Sequence, residues 1–235
     1  MTAPRTLAAR CVAEGFGTGL LVAVVVGSGI AAQQLSPEAV GLQLLENSTA
    51  TVLALAALIL TFGPVSGAHF NPAVTLAEAS TGKLEPRAAV PYIVAQVTGG
   101  CIGAVVANLM YDLPAVELST HDRITSATFL AEVVATFGLL TVIFGVVRSG
   151  RLTAVPLAVA GYIGAAYWFT SSTSFANPAV TIARTLSDTF AGIRPASAPG
   201  FIAAQLLGAA MAVAVARYLF PEPEPSLQEA LDAGP

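Results

Sequence analysis

Asn71-Pro72-Ala73-Val74-Thr75 returns unchanged as Asn177-Pro178-Ala179-Val180-Thr181. Each copy follows a run of small residues, Ser66-Gly67-Ala68-His69-Phe70 in the first case and Ser171-Ser172-Thr173-Ser174-Phe175-Ala176 in the second. Each also opens a helix, with Asn at the N-cap and Pro72 or Pro178 at the first helical position. From Asn71 to Ser80 the helix is about 15 Å long at 1.5 Å per residue, about half of a hydrocarbon layer. A lone Asn-Pro-Ala is only a capped helix or a turn. Two five-residue copies in matching places predict a pair of half-helices that meet N-terminus to N-terminus.

Composition supplies the solvent. The chain has 235 residues, of which 55% are apolar and only 10% charged, and its mean hydropathy is +0.75. A soluble domain carries about 25% charged residues, so most of this surface faces lipid. A net charge of −4 leaves no basic footprint for nucleic acid. Cys11 and Cys101 lie in apolar stretches and read as small buried hydrophobes. No metal, cofactor or disulfide framework is expected, and no nucleophile–base constellation suggests an enzyme.

Breaks at Gly and Pro divide the apolar stretches into six spans, at about 12–32, 50–62, 88–110, 126–147, 152–169 and 198–219. The second is the least defined and begins near Leu42. The first exceeds the apolar core of a cleaved signal and leads into more membrane. Arg5, Arg10, Lys83, Arg87, Arg148, Arg151 and Arg217 fall on the side of both termini, which the positive-inside bias makes cytoplasmic. Residues 1–220 read as one domain, and the Pro-rich acidic stretch 221–235 as a disordered cytoplasmic tail.

Further matches extend the repeat over about 8–110 and 126–219. Ala13-Glu14 pairs with Ala131-Glu132, and Ala95-Gln96 with Ala204-Gln205. A three-span unit begins and ends on opposite sides, so the second half is inverted, with the functional site near the midplane.

Together these motifs resemble the aquaporin and glycerol-facilitator family: both Asn-Pro-Ala copies, Glu14 and Glu132, the Ser-Gly-Ala-His-Phe approach and the two Ala-Gln pairs. The resemblance implies an all-α fold of six transmembrane helices plus two re-entrant half-helices. It also implies a homotetramer in the cell inner membrane, with one pore per subunit. Counting from the motifs, the family's four-residue filter falls at Thr51, Ala165, Ser174 and Val180, with Phe175 able to swing in. Val180 stands where most members have arginine. That substitution, with Thr51, resembles a bacterial subgroup encoded with arsenic-resistance genes. The implied function is a passive channel for small neutral solutes including arsenite and methylated arsenicals. A general glycerol, urea and water facilitator is the runner-up, and a coupled secondary transporter is less favoured.

The motif residues have physical tasks in this reading. Each half-helix presents about +0.5 charge at its N-terminus, a barrier to cations. The Asn71 and Asn177 amides are expected to donate to a passing solute oxygen. Glu14 and Glu132 read as buried acceptors supporting the loops, in preference to a proton relay. His69 lines the cytoplasmic approach, more as a satisfied loop residue than as a pH sensor. Tyr162, Tyr167, Trp168 and Phe169 read as an interfacial belt. Glu78 and Arg184 each lie seven residues past their Asn, and are expected at the two mouths or snorkelling to the interfaces.

Overall fold

A computed structural model describes residues 5–221, so the expected tail lies, apart from Pro221, outside the described residues. Eight α-helices follow in order: α1 (Leu7–Leu35), α2 (Val40–Ser66), α3 (Pro72–Ser80), α4 (Pro86–Met110), α5 (Ser126–Arg148), α6 (Val155–Phe169), α7 (Pro178–Ala183) and α8 (Ala198–Leu219). A 3₁₀ turn at Leu152–Ala154 leads into α6, and another at Arg184–Leu186 continues α7. All but α3 and α7 are long and apolar enough to cross a membrane, α6 together with the turn before it. The fold is six spanning helices and two half-helices, as the repeat predicts.

Some helices outrun their apolar cores. α1 begins at Leu7, where the Thr6 side chain accepts from the Ala9 amide, and it carries Arg10 on its first turns. α2 passes through Gly63-Pro64, where the sequence pattern predicts a break. Pro64 lies in its last turn, where one lost N–H disrupts little. The helix ends instead at Gly67, whose φ of 92° is the left-handed cap and whose N–H donates to the Gly63 carbonyl at 3.0 Å.

Within each half the spans pack in the same way. α1 lies against α2 and α4, α5 lies against α6 and α8, and α2 against α6 joins the halves. The α1–α4 contact is close because glycines face glycines. A Cβ on Gly99 would stand 2.1 Å from the Gly15 carbonyl oxygen, and one on Gly103 would stand 2.1 Å from that of Gly19. Lipid gives no hydrophobic drive to bring helices together, so close backbone approach through small residues is how they gain contact. Leu53, Leu60, Val90, Ile102 and Leu157 stay exposed around the bundle.

Cations segregate by face. Arg10 donates to the Tyr92 hydroxyl, Arg217 to the Ser80 carbonyl and Arg148 to the Ala216 carbonyl, all at the face where the chain starts and ends. Arg123, Arg184 and Arg194 gather at the opposite face, around residues 190–192 and Asp122.

Candidate conduction pathway

Two irregular loops carry the chain into the half-helices, and both adopt the same strained backbone. Four residues before each Asn, φ is 92° at Gly67 and 60° at Thr173; three before, it is 51° at Ala68 and 50° at Ser174; one before, it is 50° at Phe70 and 46° at Ala176. Non-glycine residues resist this region, at about 1–3 kcal/mol each. A buried carboxylate holds each loop there. Glu14 accepts from Ser66 Oγ at 2.6 Å, the His69 amide at 3.0 Å, the Phe70 amide at 2.7 Å and Gln96 Nε2 at 2.8 Å. Glu132 accepts from Ser172 Oγ at 2.6 Å, the Phe175 amide at 2.8 Å, the Ala176 amide at 2.8 Å and Gln205 Nε2 at 2.6 Å. Each glutamine then bonds the Thr of its half-helix, Thr75 or Thr181, at 2.9 Å. Four donors occupy the acceptor sites of each carboxylate.

The half-helices meet through their caps. Asn71 Oδ1 accepts the Ala73 amide at 2.9 Å, and Asn177 Oδ1 accepts the Ala179 amide at 3.0 Å. Pro72 and Pro178 take the first helical positions, as expected. Each amide then reaches across to the other loop: Asn71 Nδ2 donates to the Ala176 carbonyl at 2.7 Å, and Asn177 Nδ2 to the Phe70 carbonyl at 2.8 Å. One of the two Nδ2 hydrogens on each Asn is thus committed to the protein. The second, rather than the whole amide, is left for a solute.

A cavity of about 340 Å³ runs past both Asn residues, from Arg10, Glu78 and Lys83 at one end to Tyr167, Phe175 and Arg184 at the other. Thr51, Ser174 and Val180 line it as the sequence predicts. Ala165 does not: it is exposed and lies off the cavity. The helix shows why. Val155, Val159, Ile163 and Tyr167 line the cavity at steps of four, one face of α6. Ala165 is two residues from both Ile163 and Tyr167, about 200° around the axis. Counting back through an irregular loop put the filter position on the wrong face.

Tyr167 is correspondingly misplaced in an interfacial belt. It is buried, with its hydroxyl 3.2 Å from Thr51 Oγ1, which itself donates to the Asn47 carbonyl at 2.8 Å. The available hydrogen in this pair is therefore Tyr167's. Only Trp168 and Phe169 remain well exposed. The signal for Tyr167 was present as the four-residue ladder on α6.

A family model described as Major intrinsic protein matches residues 2–171. An aquaglyceroporin, AqpS, of Rhizobium meliloti is 50% identical over 223 residues, 95% of each chain. The chain belongs to the major intrinsic protein family. An aquaporin, AqpM, of Methanothermobacter marburgensis is 32% identical over 92% of this chain and 99% of its own. The X-ray structure of the Plasmodium falciparum aquaglyceroporin superimposes with a TM-score of 0.72 at 21% identity, over 92% of this chain and 96% of that one, and so matches in fold.

In this major intrinsic protein the two ends of the cavity differ. At the end near the termini, His69 Nδ1 is 3.1 Å from Thr75 Oγ1, and its ring lies 5.4 Å from that of Tyr92. Tyr92 donates to the Ser66 carbonyl at 2.9 Å and accepts from Arg10 at 2.7 Å. His69 is thus a bonded loop residue that also lines the cavity. Glu78 lines that end and Arg184 the other, the paired placement expected of them. Around Arg184 the connecting segments are tied to one another. The Glu117 amide donates to the Leu186 carbonyl at 3.1 Å and the Ser119 amide to that of Thr185 at 3.0 Å. Asp188 accepts from the Thr120 amide at 2.8 Å, which with the Thr120 hydroxyl holds its carboxyl below the usual range.

Proposed function

We propose that this chain is a passive transmembrane channel for small uncharged polar solutes, with arsenite and methylated arsenicals among them and glycerol, urea and water as the broader set. The observation that carries the reading is the cavity passing both Asn-capped half-helix ends, walled by apolar side chains with a few polar atoms. Aligned N-termini disfavour a cation at the centre. The remaining hydrogens of Asn71 and Asn177 offer donors to a solute oxygen, while the apolar wall lets the solute leave again. Glu14 and Glu132 act as supports, since all their acceptor sites hold the loops.

Support for arsenicals comes from the outer constriction. Val180 places an uncharged side chain in the first turn of α7, and Ser174 opposes little bulk to a compact polyhydroxylated solute. The likeness to the Rhizobium aquaglyceroporin agrees with a pore that admits more than water. Both termini lie on the cytoplasmic side of a bacterial inner membrane, and four copies assemble with one pore each.

Stopped-flow measurements on proteoliposomes test this with water, glycerol, urea, arsenite and methylated arsenicals. Flux above that of empty vesicles, and unaffected by a proton uncoupler, is expected. Flux that collapses with the uncoupler identifies a coupled transporter instead.

A further inference from the structure

Arg184 is 3% exposed, yet no carboxylate among the described residues forms an ion pair with it. A guanidinium withdrawn from water without a counter-ion is costly unless other groups solvate it. The protein does this in part. Arg184 Nε donates to the Ala191 carbonyl, and the guanidinium carbon stands 3.5 Å from the centroid of the Phe175 ring. Phe201 braces that ring edge-on at 5.1 Å between centroids. Plane and direction of the guanidinium are thereby fixed.

Its two Nη groups remain. They make no hydrogen bond within the described chain, and they are not sealed in, because Arg184 lines the cavity. Arg123 shows the contrast. It also lies over Phe175, at 5.6 Å, but it donates through Nε to the Gly192 carbonyl and through Nη2 to that of Phe190. Arg123 secures the loop, while Arg184 keeps its donors for the lumen. Ser174 Oγ, 4% exposed and lining the same cavity, is likewise buried without a partner.

We propose that Arg184 is the charge-selecting residue of the outer constriction. Its Nη donors and Ser174 Oγ take small oxyacids and polyols by their acceptor oxygens, and its fixed charge turns cations back. The inference rests on the channel reading above and extends its solutes to small monoanionic oxyacids. Arg184 follows Val180 by four residues, about one helical turn, so the charge stands one turn further towards the outer mouth than Val180. A solute entering from that mouth meets the guanidinium first and the uncharged side chain of Val180 afterwards. A guanidinium offers its donors in a planar fork that matches two oxygens of one solute, which an ammonium does not.

The test uses the full chain in proteoliposomes and compares native protein with Arg184→Gln, Arg184→Lys and Phe175→Leu. Fluxes of methylarsenate (an anion near neutral pH), glycerol and methylammonium are each divided by water flux in the same vesicles. Arg184→Gln is expected to lower the methylarsenate ratio about tenfold, the worth of one charge-assisted hydrogen bond, and to raise the methylammonium ratio because the charge that repels it is gone. The glycerol ratio falls less. Arg184→Lys restores exclusion of methylammonium but not the methylarsenate ratio, because charge returns without the fork. Phe175→Leu lowers the methylarsenate ratio by freeing the guanidinium from its ring. Native ratios in a water-conducting Arg184→Gln channel overturn the proposal and leave the channel reading standing. If Arg184→Gln does not assemble, native ratios in both Arg184→Lys and Phe175→Leu overturn it. Native protein that conducts no solute above empty vesicles defeats the channel reading itself.

Discussion

The two halves of this chain agree where backbone has to be held and disagree where a solute passes. Glu14 and Glu132 bind their loops through the same four kinds of donor, at 2.6–3.0 Å in the first half and 2.6–2.8 Å in the second. The half-helices they support are unlike. α3 runs for 9 residues to an end that carries Glu78; α7 runs for 6 and then tightens into a 3₁₀ turn that starts at Arg184. A loop at membrane depth has few ways to satisfy its amides, and both halves use the same one. The two mouths, by contrast, carry residues of opposite charge at Glu78 and Arg184.

If the halves are equivalent as scaffolds, breaking either carboxylate has the same large effect. Glu14→Ala and Glu132→Ala each leave two backbone amides, a serine and a glutamine without their acceptor. At about 1–3 kcal/mol for each buried unsatisfied group, neither protein is expected to fold. Monodisperse yield after detergent extraction measures this. Normal yield from one variant only would end the claim of equivalence.

Helix contacts come next. Gly103→Ala is expected to cost about 1–3 kcal/mol by overpacking, because its Cβ falls 2.1 Å from the Gly19 carbonyl oxygen. Gly208→Ala probes the matching α5–α8 contact, where the Cβ falls 2.4 Å from the Val133 carbonyl oxygen. Gly161 has nothing within 4 Å of a Cβ, so Gly161→Ala should hold or raise the melting temperature. A melt in which Gly103→Ala behaves like Gly161→Ala would refute the close-contact account.

The third prediction concerns the pore alone. Val180→Arg adds bulk and a second cation next to Arg184, and is expected to reduce glycerol and methylated arsenical flux about tenfold relative to water. Yield of folded protein and water flux must be followed with it, since an arginine without carbonyl partners blocks the lumen. An assembled channel with the native glycerol-to-water ratio removes Val180 from control of solute range.

The smallest effect belongs to the loops at the Arg184 end. Asp188 titrates below an ordinary carboxyl because Thr120 donates to it. Its contribution is therefore complete above about pH 4, the ordinary Asp value, and is lost as pH falls through the lowered one. Melting temperatures of native protein and Asp188→Asn should converge as the pH drops from 5 towards 3. A constant gap would show that the contact is not charge-assisted.

Much of this was written in the repeat. Duplicated Asn-Pro-Ala segments place the half-helices, and the matched glutamates mark the supports of their loops, whereas the part of Gln96 and Gln205 emerges only from the structure. The register of α6 was not legible by the same route. Spacing from Asn177 crosses Thr170–Ala176, and left-handed residues there shift the chain in a way that a residue count does not follow; the count therefore fell on Ala165. Periodicity within α6 carries no such error, and Val155, Val159, Ile163 and Tyr167 mark the inward face. Arg184 could be placed at a mouth, but its stacking on Phe175 depends on residues 190–192, which no local pattern joins to it.

The crossed bonds at the centre have a meaning in symmetry. Asn71 bonds the residue before Asn177, and Asn177 bonds the residue before Asn71. Such reciprocity is the mark of an isologous contact, the kind that pairs identical subunits about a twofold axis. Here both partners belong to one polypeptide, so the chain is itself built as a fused dimer whose interface is the pore centre. A change made at one Asn removes one bond of a reciprocal pair, and the asymmetry it creates falls on the axis along which the solute must travel.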